Sequence, residues 1–172
     1  MNSKELQDHL AWIPHHSVGV FPADQIPKVW TKPTASIFNT QGHRLPGAHW
    51  GCVHVDKFGN GWYFDSYGFP LLVPHHINRL RKNCRRLRWN VRQLQSETFD
   101  VCGQYFLMFL HYMSAGSRIE KFLENYSANL KKNDTIVRNL AIRLPTDETF
   151  IGRGGQSKVR CLQFSNSRMS LI

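Results

Sequence analysis

The segment 101–113, VCGQYFLMFLHYM, constrains the fold of this chain more than any other. Drawn as an α-helix it is apolar around almost its whole circumference, and a helix of that kind is buried on every side. A chain of 172 residues, 41% of them hydrophobic, is long enough to enclose such a helix within one domain. The sequence therefore predicts a domain built around a central helix.

Strands are predicted mainly before this helix, and amphipathic helices mainly after it. That order indicates an α+β fold, with a small mixed sheet packed on the central helix. Residues 13–33, which contain four prolines, are predicted to form an ordered loop. We expect strands at 35–39, 49–55, 61–65 and 86–93 (Leu87, Trp89 and Val91 inward), a hairpin turn at 56–60, and helices at 3–10, 74–83, 101–113, 117–131 and 133–143, with Ser3 and either Asn133 or Asp134 as caps.

Basic residues concentrate in one short segment, 79–92, which reads RLRKNCRRLRWNVR. The formal net charge of the chain is +10, and residues 1–78 contain equal numbers of basic and acidic groups, so this segment supplies most of the excess. Phosphate contacts would relieve the repulsion within such a run, although a solvated basic surface is the alternative. The residues predicted to contact DNA or RNA without regard to sequence are Arg79, Arg81, Lys82, Arg85, Arg86, Arg88 and Arg92.

Several classes of protein are excluded by what the sequence lacks. No apolar run approaches the length of a membrane span, and the N-terminus does not have the pattern of a signal peptide. The four cysteines have no close paired spacing, which favours reduced thiols inside a cell. No set of four ligands has zinc-site spacing, so no metal is expected. We therefore expect an intracellular protein with no membrane partner.

Cys102 is the candidate nucleophile because it stands at the start of the central helix. Unpaired N–H groups at a helix N-terminus lower the pKa of a thiol and favour the reactive thiolate. Gly103, which follows it, is expected to leave room for a substrate backbone. A buried structural cysteine is the alternative.

Three further residues complete a set that would suit a cysteine nucleophile. His49 begins a predicted strand and can act as the base, and Asp65 ends the hairpin partner, where a carboxylate would fix the imidazole tautomer. Gln95 lies seven residues before Cys102, and its amide can donate to a developing oxyanion beside the Cys102 backbone N–H. Taken singly, each of the three also suits an ordinary surface or capping position.

The four residues occur in the order His, Asp, Gln, Cys, and three of them lie within the motifs PGAHW, YFDSYGF and CGQYFLMFLH. In this order and in these motifs the chain resembles the adenovirus-type cysteine endopeptidases (adenain, peptidase family C5), relatives of the SUMO-specific proteases. The similarity covers about residues 18–113. It implies an adenain-like (permuted papain-like) α+β protease with Cys102 as nucleophile, His49 as base, Asp65 as orienter and Gln95 as oxyanion donor. It further implies a monomer that cleaves viral capsid or core precursor proteins at Gly-containing sites, in the virion and host nucleus.

The resemblance also implies two activators, neither of them obligatory: DNA, and a short basic peptide that contains a cysteine. In the family the peptide is disulfide-linked to an enzyme cysteine upstream of the nucleophile, and Cys84 has a similar location. The segment 154–164, GGQSKVRCLQF, resembles that peptide, which leads to the hypothesis that Cys161 docks at Cys84. An unrelated cysteine in an unstructured tail is the alternative.

The expected organisation is a protease domain over residues 1–145 and a basic, Gly-containing tail over 146–172. Two other functions stay open at this point. One is a deconjugating protease that acts on a ubiquitin-like modifier. The other is a non-catalytic nucleic-acid-binding module with the same fold.

Overall fold

The computed structural model describes residues 1–13, 17–46, 49–142 and 144. Within these ranges the chain forms a five-stranded mixed sheet and five helices, which confirms an α+β fold. No helix among the described residues is long and apolar enough to cross a bilayer. The elements in chain order are α1 (Ser3–Leu10), β1 (Ser17–Phe21), β2 (Thr34–Asn39), β3 (Trp50–Val55), β4 (Asn60–Phe64), α2 (Pro74–Asn83), β5 (Arg86–Trp89), α3 (Cys102–Ser114), α4 (Ile119–Leu123) and α5 (Leu130–Ala141).

The five strands lie in chain order across the sheet, from β1 to β5. The central pairs β2–β3 and β3–β4 are antiparallel, whereas β1–β2 and β4–β5 at the two edges are parallel. The predicted turn between β3 and β4 is confirmed: the Asp56 carboxylate accepts the backbone N–H groups of Phe58 and Asn60. Gly59 adopts φ +85° there, which a residue without Cβ tolerates best.

The predicted central helix is α3, and it is buried against one face of the sheet. Phe109 stacks on Phe64 of β4 with ring centroids 4.7 Å apart, and Phe106 meets the same ring edge-on at 6.1 Å. The buried residues of α1 are Leu6 and Leu10, and both belong to this core. The opposite face carries a smaller core that includes Phe38 of β2 and Leu80 of α2. The sheet is thus enclosed by α3 on one side and α2 on the other.

Two strand predictions need correction. Residues 13–33 were expected to be loop, but β1 lies within them and extends the sheet beside β2. The strand expected over 86–93 ends at Trp89 as β5. Trp89 and Val91, expected to face inward, are 48% and 82% exposed. As an edge strand, β5 has only one neighbour to cover it, so period-two alternation there does not imply burial.

The helix predicted over 117–131 is also wrong, because α4 ends at Leu123 and a new helix begins at Leu130. The turn between them is held by Asn133, whose side-chain oxygen accepts the Ser127 N–H. The side chains of Asn133 and Asp134 are therefore buried within α5, and the cap of α5 is Asn129. The cap of α1 is likewise one residue earlier than expected, at Asn2, in a capping box with Glu5.

Candidate active site

His49 and Asp65 form a short hydrogen-bond contact at one end of the sheet. His49 immediately precedes β3 and Asp65 immediately follows β4, so the antiparallel pairing brings them together. The His49 Nε2 lies 2.6 Å from the Asp65 Oδ2. The His49 side chain is 23% exposed and that of Asp65 only 2%. A buried carboxylate on Nε2 orients the ring and leaves Nδ1 as the nitrogen that can serve as a base.

Asp65 itself is held on three sides. Its Oδ1 accepts the backbone N–H of Tyr67 at 2.8 Å. Asn90, just after β5, holds the Asp65 backbone with its side chain: the Asn90 Oδ1 accepts the Asp65 N–H, and the Asn90 Nδ2 donates to the Asp65 carbonyl. Because Asn90 is buried as well, the carboxylate has a fixed position from which to orient His49.

Gln95 lies next to this pair but is fully enclosed. Its side-chain oxygen accepts the Ser66 hydroxyl at 2.8 Å. Its amide nitrogen donates to the Phe99 carbonyl at 2.6 Å and to the Tyr67 hydroxyl at 3.2 Å. Gln95 is only 1% exposed. The residue predicted as oxyanion donor is therefore at the site, with its amide directed at other protein groups.

Helix α5 holds the loop that carries Gln95. The buried Asp134 carboxylate accepts the backbone N–H and the hydroxyl of Ser96, and also the Tyr105 hydroxyl. Asn133 donates to the carbonyl of Leu94. These bonds fix the residues on both sides of Gln95 to one helix.

Cys102 is the first residue of α3, as predicted, but its electrostatic environment differs from the prediction. Burial, followed by the negative charge of Asp100, raises the pKa of the thiol to about 11. The Gly103 backbone N–H opposes that rise and is outweighed. The thiol lies 3.8 Å from the Asp100 Oδ1. Desolvation and a like charge thus prevail over the helix N-terminus, and the thiol is protonated at neutral pH.

The space beside Gly103 is occupied by the chain itself. A Cβ built on this residue would lie 3.1 Å from the side chains of both Leu6 and Met1. The expectation that Gly103 makes room for a substrate backbone is therefore wrong, because the glycine allows α1 to pack closely against α3. Any substrate must approach Cys102 from another direction.

Tyr67 links the His49–Asp65 pair to Gln95, and the sequence did not predict it as a site residue. Its ring centroid is 5.4 Å from that of His49, and its hydroxyl accepts a hydrogen bond from Gln95. The ring centroid of Phe69 is 6.3 Å from that of His49 and 5.8 Å from that of Tyr67. The signal was present in YFDSYGF, where Tyr67 follows the carboxylate by two residues. Trp50, by contrast, packs against the main core.

In the part of the chain that the structure describes, no hydrogen bond joins the His49 ring to the Cys102 sulfur; the thiol is paired with Asp100. Burial is the largest cause that raises the pKa of Tyr67, and ionisation of Cys102 would raise it further. Tyr67 thus contacts three of the four predicted residues, His49, Asp65 and Gln95. Reaction would require the thiol to turn from Asp100 to the imidazole.

The predicted nucleic-acid contacts, which we call the basic strip (residues 79–92), divide into two groups. Arg79 donates to the carbonyl of Ile26, and Arg92 donates to those of Leu123 and Tyr126. These two side chains stabilise the fold. The remaining five residues are exposed around the edge of the sheet: Arg81, Lys82, Arg85, Arg86 and Arg88. Arg88 lies over the ring of Trp62 at 5.4 Å.

Cys84, the predicted attachment point for an activating peptide, ends α2 and is half-buried against the smaller core. Burial raises the pKa of its thiol to about 11, against the opposing charge of Lys32. Cys161 and the tail 146–172 lie outside the described residues, as do residues 47–48 of the PGAHW motif. Among the described residues, no group of three or more His, Cys, Asp or Glu side chains is arranged to hold a metal ion.

Comparisons with known proteins add little. No model of a known protein family matches the chain, and no curated protein matches it. Among solved structures it is similar to the central domain of an uncharacterized protein from Legionella pneumophila. That likeness has 15% identity and a TM-score of 0.46, over 83% of this chain and 93% of the other. It carries no argument about function, so the function has to be argued from the residues of this chain.

Proposed function

We propose that this chain is an adenain-like cysteine endopeptidase with Cys102 as nucleophile, His49 as base and Asp65 as orienting carboxylate. One observation carries the proposal: the His49–Asp65 pair contacts Tyr67, which is bonded to Gln95. Cys102 begins the helix that follows the Gln95 loop. A buried carboxylate, an imidazole and a helix-terminal thiol around one polar network are the groups that acyl transfer needs.

In the proposed reaction, His49 takes the thiol proton as the Cys102 sulfur attacks a peptide carbonyl. The C–S bond forms while the carbonyl π electrons move to oxygen, and the network around Gln95 together with backbone N–H groups stabilises that oxyanion. His49 then protonates the leaving amine as the C–N bond breaks. Water hydrolyses the thioester and regenerates the thiol. Because the pKa of the Cys102 thiol is about 11, the thiol is still protonated before the reaction, and His49 removes its proton as the sulfur attacks.

The test combines thiol labelling with peptide cleavage. The substrate is a quenched fluorogenic peptide with the chain's own Phe-Ile-Gly-Arg-Gly-Gly sequence, residues 150–155, which fits the proposed preference for Gly-containing viral precursors. We expect cleavage that is lost in Cys102→Ser and in His49→Ala. Glu120→Gln is the control, because it changes an exposed side chain of α4 and should leave cleavage at the wild-type rate. Cleavage that persists in Cys102→Ser would contradict the proposal.

A non-catalytic nucleic-acid-binding module is the second candidate, and one observation favours it. The Cys102 thiol is paired with Asp100, while five basic side chains are exposed along one edge of the sheet. Adding duplex DNA distinguishes the two functions. An enzyme that DNA stimulates should cleave the peptide faster, whereas a binding module should bind the duplex and cleave nothing. The DNA contact is proposed in either case to be independent of sequence.

A further inference from the structure

The proposed function does not settle which atom touches the oxyanion, and the hydrogen bonds of Gln95 bear directly on that question. A glutamine amide has two N–H donors. One donates to the Phe99 carbonyl at 2.6 Å and the other to the Tyr67 hydroxyl at 3.2 Å. With the residue 1% exposed and its oxygen bound to Ser66, the amide has no free donor to offer a substrate.

The Tyr67 hydroxyl is in the opposite situation. A phenol has one O–H donor as well as acceptor lone pairs, and the bond from Gln95 occupies a lone pair. Within the described part of the chain, its O–H meets no acceptor. Tyr67 is only half-buried, so a ligand can reach it. The hydroxyl is thus a donor that the protein orients and leaves available.

The position of Tyr67 suits a donor to the oxyanion. Its ring lies 5.4 Å from the His49 ring and 5.8 Å from that of Phe69, and the Asp65 carboxylate holds its backbone N–H. Burial raises the pKa of Tyr67, and ionisation of Cys102 and Asp100 would raise it further, which keeps the phenol protonated. A protonated phenol that lies beside His49 and accepts a hydrogen bond from Gln95 is already oriented to donate a hydrogen bond to an oxyanion.

Resting on the proposed function, we propose that the Tyr67 hydroxyl is the side-chain donor to the oxyanion, and that Gln95 is a positioning residue that acts through it. As the sulfur attacks and the carbonyl electrons move to oxygen, the Tyr67 O–H donates a hydrogen bond to that oxygen and keeps its proton. The thiol proton goes to His49 and from there to the leaving amine. The bond from Gln95 strengthens the donor, since hydrogen bonds in a chain polarise one another.

Tyr67→Phe tests this proposal, because it removes the O–H and keeps the ring against His49. Loss of an oxyanion donor typically lowers the rate about 10²–10³-fold, so kcat/KM for the fluorogenic peptide should fall by that factor. Alkylation of Cys102 by iodoacetamide develops no oxyanion, so its rate should stay at the wild-type value. The control is Tyr112→Phe, which removes a hydroxyl from α3 nearly three turns beyond Cys102. It should cleave at the wild-type rate.

A double mutant assigns the role of Gln95. If Gln95 acts through Tyr67, Tyr67→Phe with Gln95→Ala should be no slower than the slower single variant. A Tyr67→Phe enzyme that cleaves at the full rate while Gln95→Ala is crippled would overturn the inference and return the donor role to Gln95. A wild-type chain that does not cleave the peptide at all would instead overturn the proposed function, and the role of Tyr67 with it. Circular dichroism on each variant separates these results from misfolding.

Discussion

Asp100 lies beside the candidate nucleophile Cys102, and replacing it with asparagine should make the Cys102 thiol more reactive. Asp100→Asn keeps the shape of the side chain and removes the negative charge 3.8 Å from the sulfur. Because that charge raises the pKa of the thiol, its removal lowers the pKa. A group that ionises more readily reacts faster at any pH below its pKa.

The size of the effect follows from the distance. Two unit charges about 4 Å apart repel each other by about 1 kcal/mol even with the full screening of bulk water, which suits an exposed carboxylate such as Asp100. Removing 1 kcal/mol raises the thiolate fraction about fivefold below the pKa. The thiolate also becomes a weaker nucleophile as its pKa falls, which offsets part of the gain. We therefore expect alkylation to accelerate about two- to threefold, and more where screening is weaker.

The assay is the rate of Cys102 alkylation by iodoacetamide at pH 8, followed by peptide mapping so that Cys52, Cys84 and Cys161 are counted separately. Iodoacetamide is uncharged, so the variant does not change how the reagent is attracted to the site. Glu97→Gln is the matched control, since it removes an exposed acidic group from the same loop. An Asp100→Asn protein that reacts no faster than Glu97→Gln would refute the reasoning, and would leave burial alone as the cause of the raised pKa.

Three further predictions concern stability and binding. Asp134→Ala removes the acceptor of three hydrogen bonds and should lower the free energy of unfolding in urea by about 3 kcal/mol. Burial lowers the pKa of His76 and His111 to about 4. Between that value and pH 6.5 the unfolded chain binds more protons than the folded chain, so the free energy of unfolding should fall as the pH falls from 6.5 towards 4. The expected loss at pH 5 is about 1–2 kcal/mol for each histidine. A free energy of unfolding equal at pH 7 and pH 5 would contradict this. Arg85→Ala should reduce the salt dependence of DNA binding by about one phosphate contact, whereas Arg92→Ala should lower thermal stability and leave that dependence unchanged.

Much of the fold was predictable, because burial leaves a clear periodic pattern. The central helix and the β3–β4 hairpin follow from residues whose neighbours in sequence determine their conformation, such as the run around Phe106 and the turn at Gly59. The errors arose where distant contacts decide the outcome. Asn133 appeared to be a helix cap, but its side chain is buried and donates to the carbonyl of Leu94, far away in the sequence, while Asn129 caps the helix.

The candidate site was predictable as a set of residue types and only partly as an arrangement. The hairpin pattern was sufficient to pair His49 with Asp65. The charge state of Cys102 was not predictable, since the helix N-terminus is visible in the sequence whereas the degree of burial is not. Nor did the sequence reveal that the Gln95 amide is consumed by Phe99 and Tyr67, because those bonds depend on the path of the loop.

The attachment of the Gln95 loop to α5 has a consequence for the order in which the site can form. The ribosome synthesises Cys102, His49 and Asp65 before Asp134, the residue that anchors Ser96. A nascent chain that already contains the candidate nucleophile and base would therefore lack the support that places Gln95 and, through it, Tyr67. If the chain is a protease, its assembly from N- to C-terminus delays activity until the helix at Leu130–Ala141 has emerged and docked. This delay would protect the chain from its own activity during synthesis.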